Sequence, residues 1–229
     1  MPPTPTPWPA WFEELVAGSR SAQAAELSRF TPPPGHLRRS AVLLLFAGPP
    51  GPDPSGGPDV LLTERSASLR SHAGQVAFPG GAIDVTDAGP SAAALREAQE
   101  ETGLDPRGVE VAGHLPDLFL PVSDFAVTPV LAWWRRPSPV GVVDRGEVAR
   151  VVRVPVAELL DPANRFRAVH PSGFTGPAFR AQGLFVWGFT AGLLDRVFHL
   201  SGWERPWDSG RLEDVPLLPD PPRDRSASA

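Results

Sequence analysis

Between Arg38 and Gly48 the chain reads RRSAVLLLFAG, a nearly unbroken apolar run closed by glycine. A run of that length between turn-forming residues predicts a buried strand. VLLTER at 60–65 predicts a second strand across a Gly/Pro/Asp/Ser loop at 48–59. A short strand follows around Gln75–Phe78, and VEVAGHLP, DFAVTPVLAWW and ARVVRVPV predict more. Helical spacing marks Ala10 to Arg29, where Trp11, Leu15 and Leu27 are packing positions and PPPG at 32–35 is the stop. Ser91 to Thr102 is the first long helix, with Pro90 before it, Gly103 at its end, and Leu95 and Ala98 toward the core. Val156–Leu160 starts a short helix, and GLFVWGFTAGLLDRVFHL begins as a strand and becomes an amphipathic helix. Residues 161–177 read as turns, residues 1–9 as proline-rich extended chain, and the tail from Gly202 as mostly irregular. No internal repeat is present. Strands interrupted by one central and one late helix predict an α/β sandwich around a mixed sheet, not a regular βαβ chain.

The 229 residues suffice for one domain with extensions, divided as 1–35, 36–200 and 201–229. A formal net charge of −5 argues against nucleic-acid binding by bulk charge, and leaves room for a small anionic ligand held locally or through a metal. There is no cysteine, so disulfides, thiolate catalysis and Cys-ligated metal sites are excluded. The N-terminus does not read as a signal peptide, and no run approaches the roughly 20 apolar residues of a membrane helix. The expectation is a cytoplasmic protein with no membrane partner.

Charge changes the picture at one place. Glu97, Glu100 and Glu101 stand at i, i+3 and i+4, just behind the glycine-rich FPGGAID turn. They share a helix face with Cβ atoms roughly 6 Å apart, and like charges at that spacing repel. Water offsets such repulsion on a merely solvated face. A divalent cation would offset it with a chemical purpose.

Residues GG, an acidic stretch and REAQEETGL resemble the Nudix box, G, five residues, E, seven residues, REUxEExGU, where U is a bulky aliphatic. Arg96, Glu97, Glu100, Glu101, Gly103 and Leu104 stand at its positions. Ala98 replaces a bulky aliphatic, and Gly81 to Arg96 is one residue longer than the usual spacing. Asp84 fits the acid that often follows GG, and Asp87 is the nearest stand-in for the first glutamate. The upstream segment LLTERSASLRSHAGQVAFPGGAID, 61–84, resembles the signature of coenzyme A pyrophosphatases, LLTxRS, a spacer, then LRxHxGQVxFPGG. LFVWGFTAGLL at 184–194 echoes that branch's WGxTA helix start.

The resemblance implies a Nudix α/β/α sandwich over 36–200 that hydrolyses the pyrophosphate of coenzyme A or its derivatives with Mg²⁺ or Mn²⁺. Mg²⁺ prefers carboxylate oxygens, which a rigid helix supplies from successive turns. Glu97 and Glu101 are the expected ligands. Glu100 reaches a second ion or orients the water. Arg96 pairs with a carboxylate or contacts phosphate, and Gly80 and Gly81 let the backbone approach helix and phosphates. Arg65 and Arg70 are the basic candidates for the 3′-phosphate or the pyrophosphate, since guanidinium forks onto phosphate oxygens. His72 and Gln75 line the site with them, or His72 simply bonds backbone. Glu147 completes the metal site or acts as base. Phe119 is a weaker substrate contact, whereas Trp133, Trp134 and Trp187 belong to core or interface. Alternatives are another nucleoside diphosphate linked to a moiety X, such as ADP-ribose or NADH, and a non-catalytic nucleotide-binding protein. Apolar residues of the late helix suggest a homodimer.

Overall fold

The computed structural model describes residues 7–20, 22–27, 38–48, 57–69, 71–121 and 124–216. PPPG at 32–35, the candidate phosphate contact Arg70, most of the 48–59 loop and the last thirteen residues lie outside these.

Alternation along strand β1 (Arg38–Ala47) sets the layering. Ala41, Leu43 and Leu45 enter one core with Ala93, Ala94 and Ala98 of helix α3 (Pro90–Thr102). Leu44 and Phe46 enter another with Phe12 and Leu15 of α1 (Ala10–Arg20) and with Leu194 and Phe198 of α5 (Gly188–Leu200). A strand apolar on both faces needs helices on both sides, which makes the α/β/α sandwich.

The main sheet runs β3 (Val76–Ala77), β2 (Asp59–Arg65), β1, β7 (Phe125–Trp134), β5 (Val109–His114). Strand β4 (Gly80–Ala82) pairs with β1, β6 (Leu118–Leu120) with β7, and β8 (Val148–Pro155) with β2. β1 and β7 are parallel and the other pairs antiparallel, so the sheet is mixed as expected. Pro129 is tolerated inside β7 because it falls between the stretch paired with β6 and the stretch paired with β5.

A second sheet, β11 (Leu184–Val186), β10 (Thr175–Ala181), β9 (Arg165–Val169) and β12 (Leu212–Asp214), differs from the sequence expectation. The turn-rich stretch 161–177 contains β9 and the start of β10, and the tail contributes β12, parallel to β9. The N-terminal helix also ends earlier than expected, at Arg20, and a short α2 (Ala24–Leu27) follows; α4 (Val156–Leu160) matches its expected place. Leu193, Leu194, Val197 and Phe198 of α5 are buried within the chain, so these residues do not offer a face to a second copy. No helix among the described residues is long and apolar enough to cross a membrane.

α1 closes onto the end of α5 through Gly18. A Cβ on Gly18 would stand 2.7 Å from the Leu200 carbonyl carbon and 2.9 Å from Ser201 Cα. Alanine is intrinsically the better helix former. Gly18→Ala should nevertheless destabilise by about 1–3 kcal/mol through overpacking against backbone, read as a lower urea midpoint. An unchanged or higher midpoint would mean that α1 does not dock there.

Candidate active site

Helix α3 is started by Pro90 and ended by Gly103, which adopts φ 71° and donates its N–H to Gln99. Ala93, Ala94 and Ala98 give it a small-residue face toward the sheet, and the large Trp134 shares that core. Ala98 thus occupies the box's bulky position as a fully buried residue. The glutamate face turns instead toward β4.

The two glycines of β4 are needed for that approach. A Cβ on Gly81 would stand 2.6 Å from either carboxylate oxygen of Glu97, and one on Gly80 would stand 2.7 Å from Val42 Cα. The Gly80 N–H donates to Glu101 Oε2 at 3.2 Å. Glu101 is 6% exposed, and burial pushes its carboxyl up to about 7, against the opposing pull of that N–H. Burial also raises Glu97, opposed by its bond from Arg96. Glu147 adds to both shifts, so the structure brings its charge within range of the helix glutamates.

Arg96 joins the helix to the preceding loop. Its Nε and Nη2 donate to the two oxygens of Asp87 at 3.1 and 2.9 Å, and Nη2 also donates to the Ala82 carbonyl at 3.1 Å. Nη1 donates to Glu97 at 2.9 Å and to Glu100 at 3.0 Å, while Asp84 stands 3.7 Å from Nη2. Hydrogen bonding to Arg96 holds Asp87 below the usual carboxylate range. Arg96 thus pairs with carboxylates, one of the two roles expected of it. Asp87 is its fork partner, so the extra residue of spacing is absorbed in the loop.

The signature segment returns to the same lip. At the Glu64/Arg65 irregularity β2 shifts register against β8, and the Ser66 N–H donates to the Glu147 carbonyl at 2.8 Å. Asp144 accepts from Gly146 at 2.7 Å through its side chain and from Glu147 and Val148 through its carbonyl, forming the turn that carries Glu147. Arg65 exchanges backbone bonds with Gln75 (2.9 Å) and Gly74 (3.1 Å), which closes the loop between them. The Arg65 charge eases ionisation of Glu101, and its buried Nε has no hydrogen-bond partner. His72, at φ 57°, bonds Gln75 through Nδ1 at 3.0 Å. A non-glycine residue in that conformation is uncommon and is held by its surroundings. Phe119 lies on β6, partly buried, and Trp133 and Trp134 are core residues as expected. Trp187 is partly buried and stacks on His170 at 5.3 Å.

Among the described residues no three carboxylate or imidazole groups converge into a ready-made metal cage. Arg96 holds an oxygen of Glu97 and one of Glu100, while Gly80 holds one of Glu101. The donor set itself is anionic and all-oxygen. Two of its members are raised by burial, which is chemistry that suits a hard divalent cation. Sequence reasoning missed Asp144 as the turn former and the Thr190 hydroxyl, which donates to the Val76 carbonyl at 2.8 Å. The WGxTA echo was the one signal pointing at Thr190.

A mixed sheet carrying an acidic helix clamped to a glycine strand is the scaffold of a Nudix hydrolase. The NUDIX domain family matches residues 37–172, more than half of the chain, and the protein belongs to that family. It is 46% identical over 156 residues to an uncharacterized Nudix hydrolase NudL of Cronobacter sakazakii, covering 65% of this chain and 78% of that one. The Escherichia coli K12 NudL is 41% identical over 164 residues, covering 69% and 79%. Among solved structures, the Nudix hydrolase RenU of M. smegmatis aligns at TM-score 0.49 and 21% identity, over 80% of this chain and 89% of that one. Nudix hydrolases as a family use divalent metals and act on small molecules.

The raised carboxyl of Glu101 has a thermodynamic consequence. A folded-state value of about 7 against 4.5 means that ionisation opposes folding: its favourable contribution is complete below 4.5 and is lost as pH rises through 7. The full loss is on the order of 3 kcal/mol. Glu101→Gln retains an acceptor for Gly80 and carries no charge. In chelator-treated protein it should therefore unfold at higher denaturant than wild type at pH 8, with the advantage vanishing by pH 4.5. Equal stability at pH 8 would contradict burial of an ionised Glu101.

Proposed function

We propose that the protein hydrolyses the pyrophosphate bond of coenzyme A or its derivatives, releasing 3′,5′-ADP and 4′-phosphopantetheine or the acylated form. The supporting observation is that the segment resembling the coenzyme A pyrophosphatase signature folds into the lip of the carboxylate face. Arg65 at its start eases ionisation of Glu101, and Gly80 at its end bonds Glu101 directly.

Glu97 and Glu101 would hold Mg²⁺ or Mn²⁺, with Glu100 beside them. When bound, such an ion withdraws charge from the phosphate oxygens and makes water a better nucleophile. Arg96 keeps Glu97 and Glu100 in register with the loop, so the carboxylates need little reorganisation. Glu147, exposed at the same lip, takes the proton of the attacking water. One phosphorus–oxygen bond forms to that water as the bridging bond breaks, and the bridging oxygen leaves on the second phosphate. The Arg65 charge, already within range of Glu101, would meet the pyrophosphate charge. His72 and Gln75 line the entrance. Arg70, outside the described residues, is assigned to the 3′-phosphate on the resemblance.

A substrate panel at fixed ionic strength tests the reading. Coenzyme A should be cleaved with a larger kcat/KM than dephospho-coenzyme A, ADP-ribose or NADH, with about 10- to 150-fold over the dephospho form for a charge-assisted phosphate contact. Faster cleavage of ADP-ribose or NADH would defeat the coenzyme A assignment and leave the Nudix hydrolase standing. Glu97→Gln, with its fold checked by circular dichroism, should lose about 10²-fold or more of turnover under saturating Mg²⁺. Near-wild-type turnover would remove Glu97 from the site.

A further inference from the structure

Strand β3 has only two residues, Val76 and Ala77, and stands at the edge of the main sheet. Its neighbour β2 is met at Gln75, whose carbonyl accepts from Arg65, and at Ala77, whose carbonyl accepts from the Thr63 hydroxyl at 3.3 Å. Strand alternation therefore turns the Val76 carbonyl outward, to the open side. There the Thr190 hydroxyl meets it at 2.8 Å, with Thr190 4% and Val76 5% exposed. A buried edge carbonyl needs such a donor.

The donor is brought there by the second sheet and its helix. β11 packs beside β3, Gly188 turns the chain at φ 65°, and Thr190 falls in the first turn of α5. Trp187, just ahead, is anchored by its stack on His170. The WGxTA echo is thus a clasp on β3.

The chain on either side of Val76 is held unequally. Toward the glutamates it is fixed independently: Leu43 donates to Pro79 at 2.8 Å, and β4 pairs with β1 over Val42, Ala41 and Ser40. Toward the signature loop the next anchors are the Arg65 bonds to Gln75 and Gly74. Loosening β3 should reach Gln75 and His72, and leave Gly80 and Glu101 in place.

We propose that Thr190 is a positioning residue for the signature loop, setting substrate affinity without touching the reacting atoms. This rests on the loop being the substrate lip; it does not require that the substrate be coenzyme A.

The test uses whichever panel compound wild type cleaves best, under saturating Mg²⁺. Thr190→Val keeps the shape and removes the donor. It should raise KM about 3- to 10-fold, the scale of one lost hydrogen bond, with kcat within about 2-fold. Thr190→Ser should restore the wild-type KM, and hydrogen exchange in Thr190→Val should accelerate at Gly74 and Gln75 but not at Gly80. Thr190→Ala gives the same reading should valine overpack. Unchanged KM, or a fall in kcat alone, would overturn the proposal. Loss of the fold in both Val and Ala replacements, with Ser stable, would also overturn it, by showing a bond that holds the core.

Discussion

The structure depends on keeping carboxylates against a glycine strand, where solvent cannot disperse their charge. Glu101 is buried, Glu97 is half-buried over Gly81, and both are harder to ionise than a free glutamate. Like charges at helical spacing destabilise even in water. Here the opposition is met locally, by the Arg96 guanidinium at Glu97 and by the Gly80 N–H and the Arg65 charge at Glu101, and only in part. What remains is a standing demand for positive charge at one spot, gained at the cost of stability, which the proposed divalent ion would meet.

The rest of the fold makes that arrangement rigid. Two apolar cores clamp β1 from opposite faces, and β1 carries β4 on its edge. Alanines on the inner face of α3 allow a close approach to the sheet, so that the outer glutamates reach the Gly80–Gly81 backbone. Arg96 then closes the loop onto the helix through Asp87 and the Ala82 carbonyl. Each part serves to fix oxygen positions before any substrate arrives.

Much of this was legible because it is local. The acidic helix announces itself by proline, glycine and glutamate spacing, and β1 and β7 by their apolar runs. The second sheet was not legible for a physical reason. β9 places Arg165 in the interior, where it pairs with Asp195 at 2.5 Å and Glu204 at 3.5 Å, partners 30 and 39 residues away. A buried arginine breaks the apolar alternation by which a strand is recognised. β12, Leu212–Asp214, has no apolar period and becomes a strand by pairing with β9. The partner of Arg96 was similarly open, because the sequence offers several carboxylates near it and only the folded turn brings Asp87 onto its fork.

The central claim is that the glycine strand and the glutamate helix form one divalent-metal centre. Mn²⁺ titration of Gly81→Ala tests it most directly, because the added Cβ would meet the movable end of Glu97 rather than backbone. The carboxylate should be displaced while the fold survives. The account predicts Mn²⁺ affinity about 10- to 100-fold weaker than wild type, with turnover falling in step. Wild-type Mn²⁺ affinity and turnover in a folded Gly81→Ala protein would contradict it.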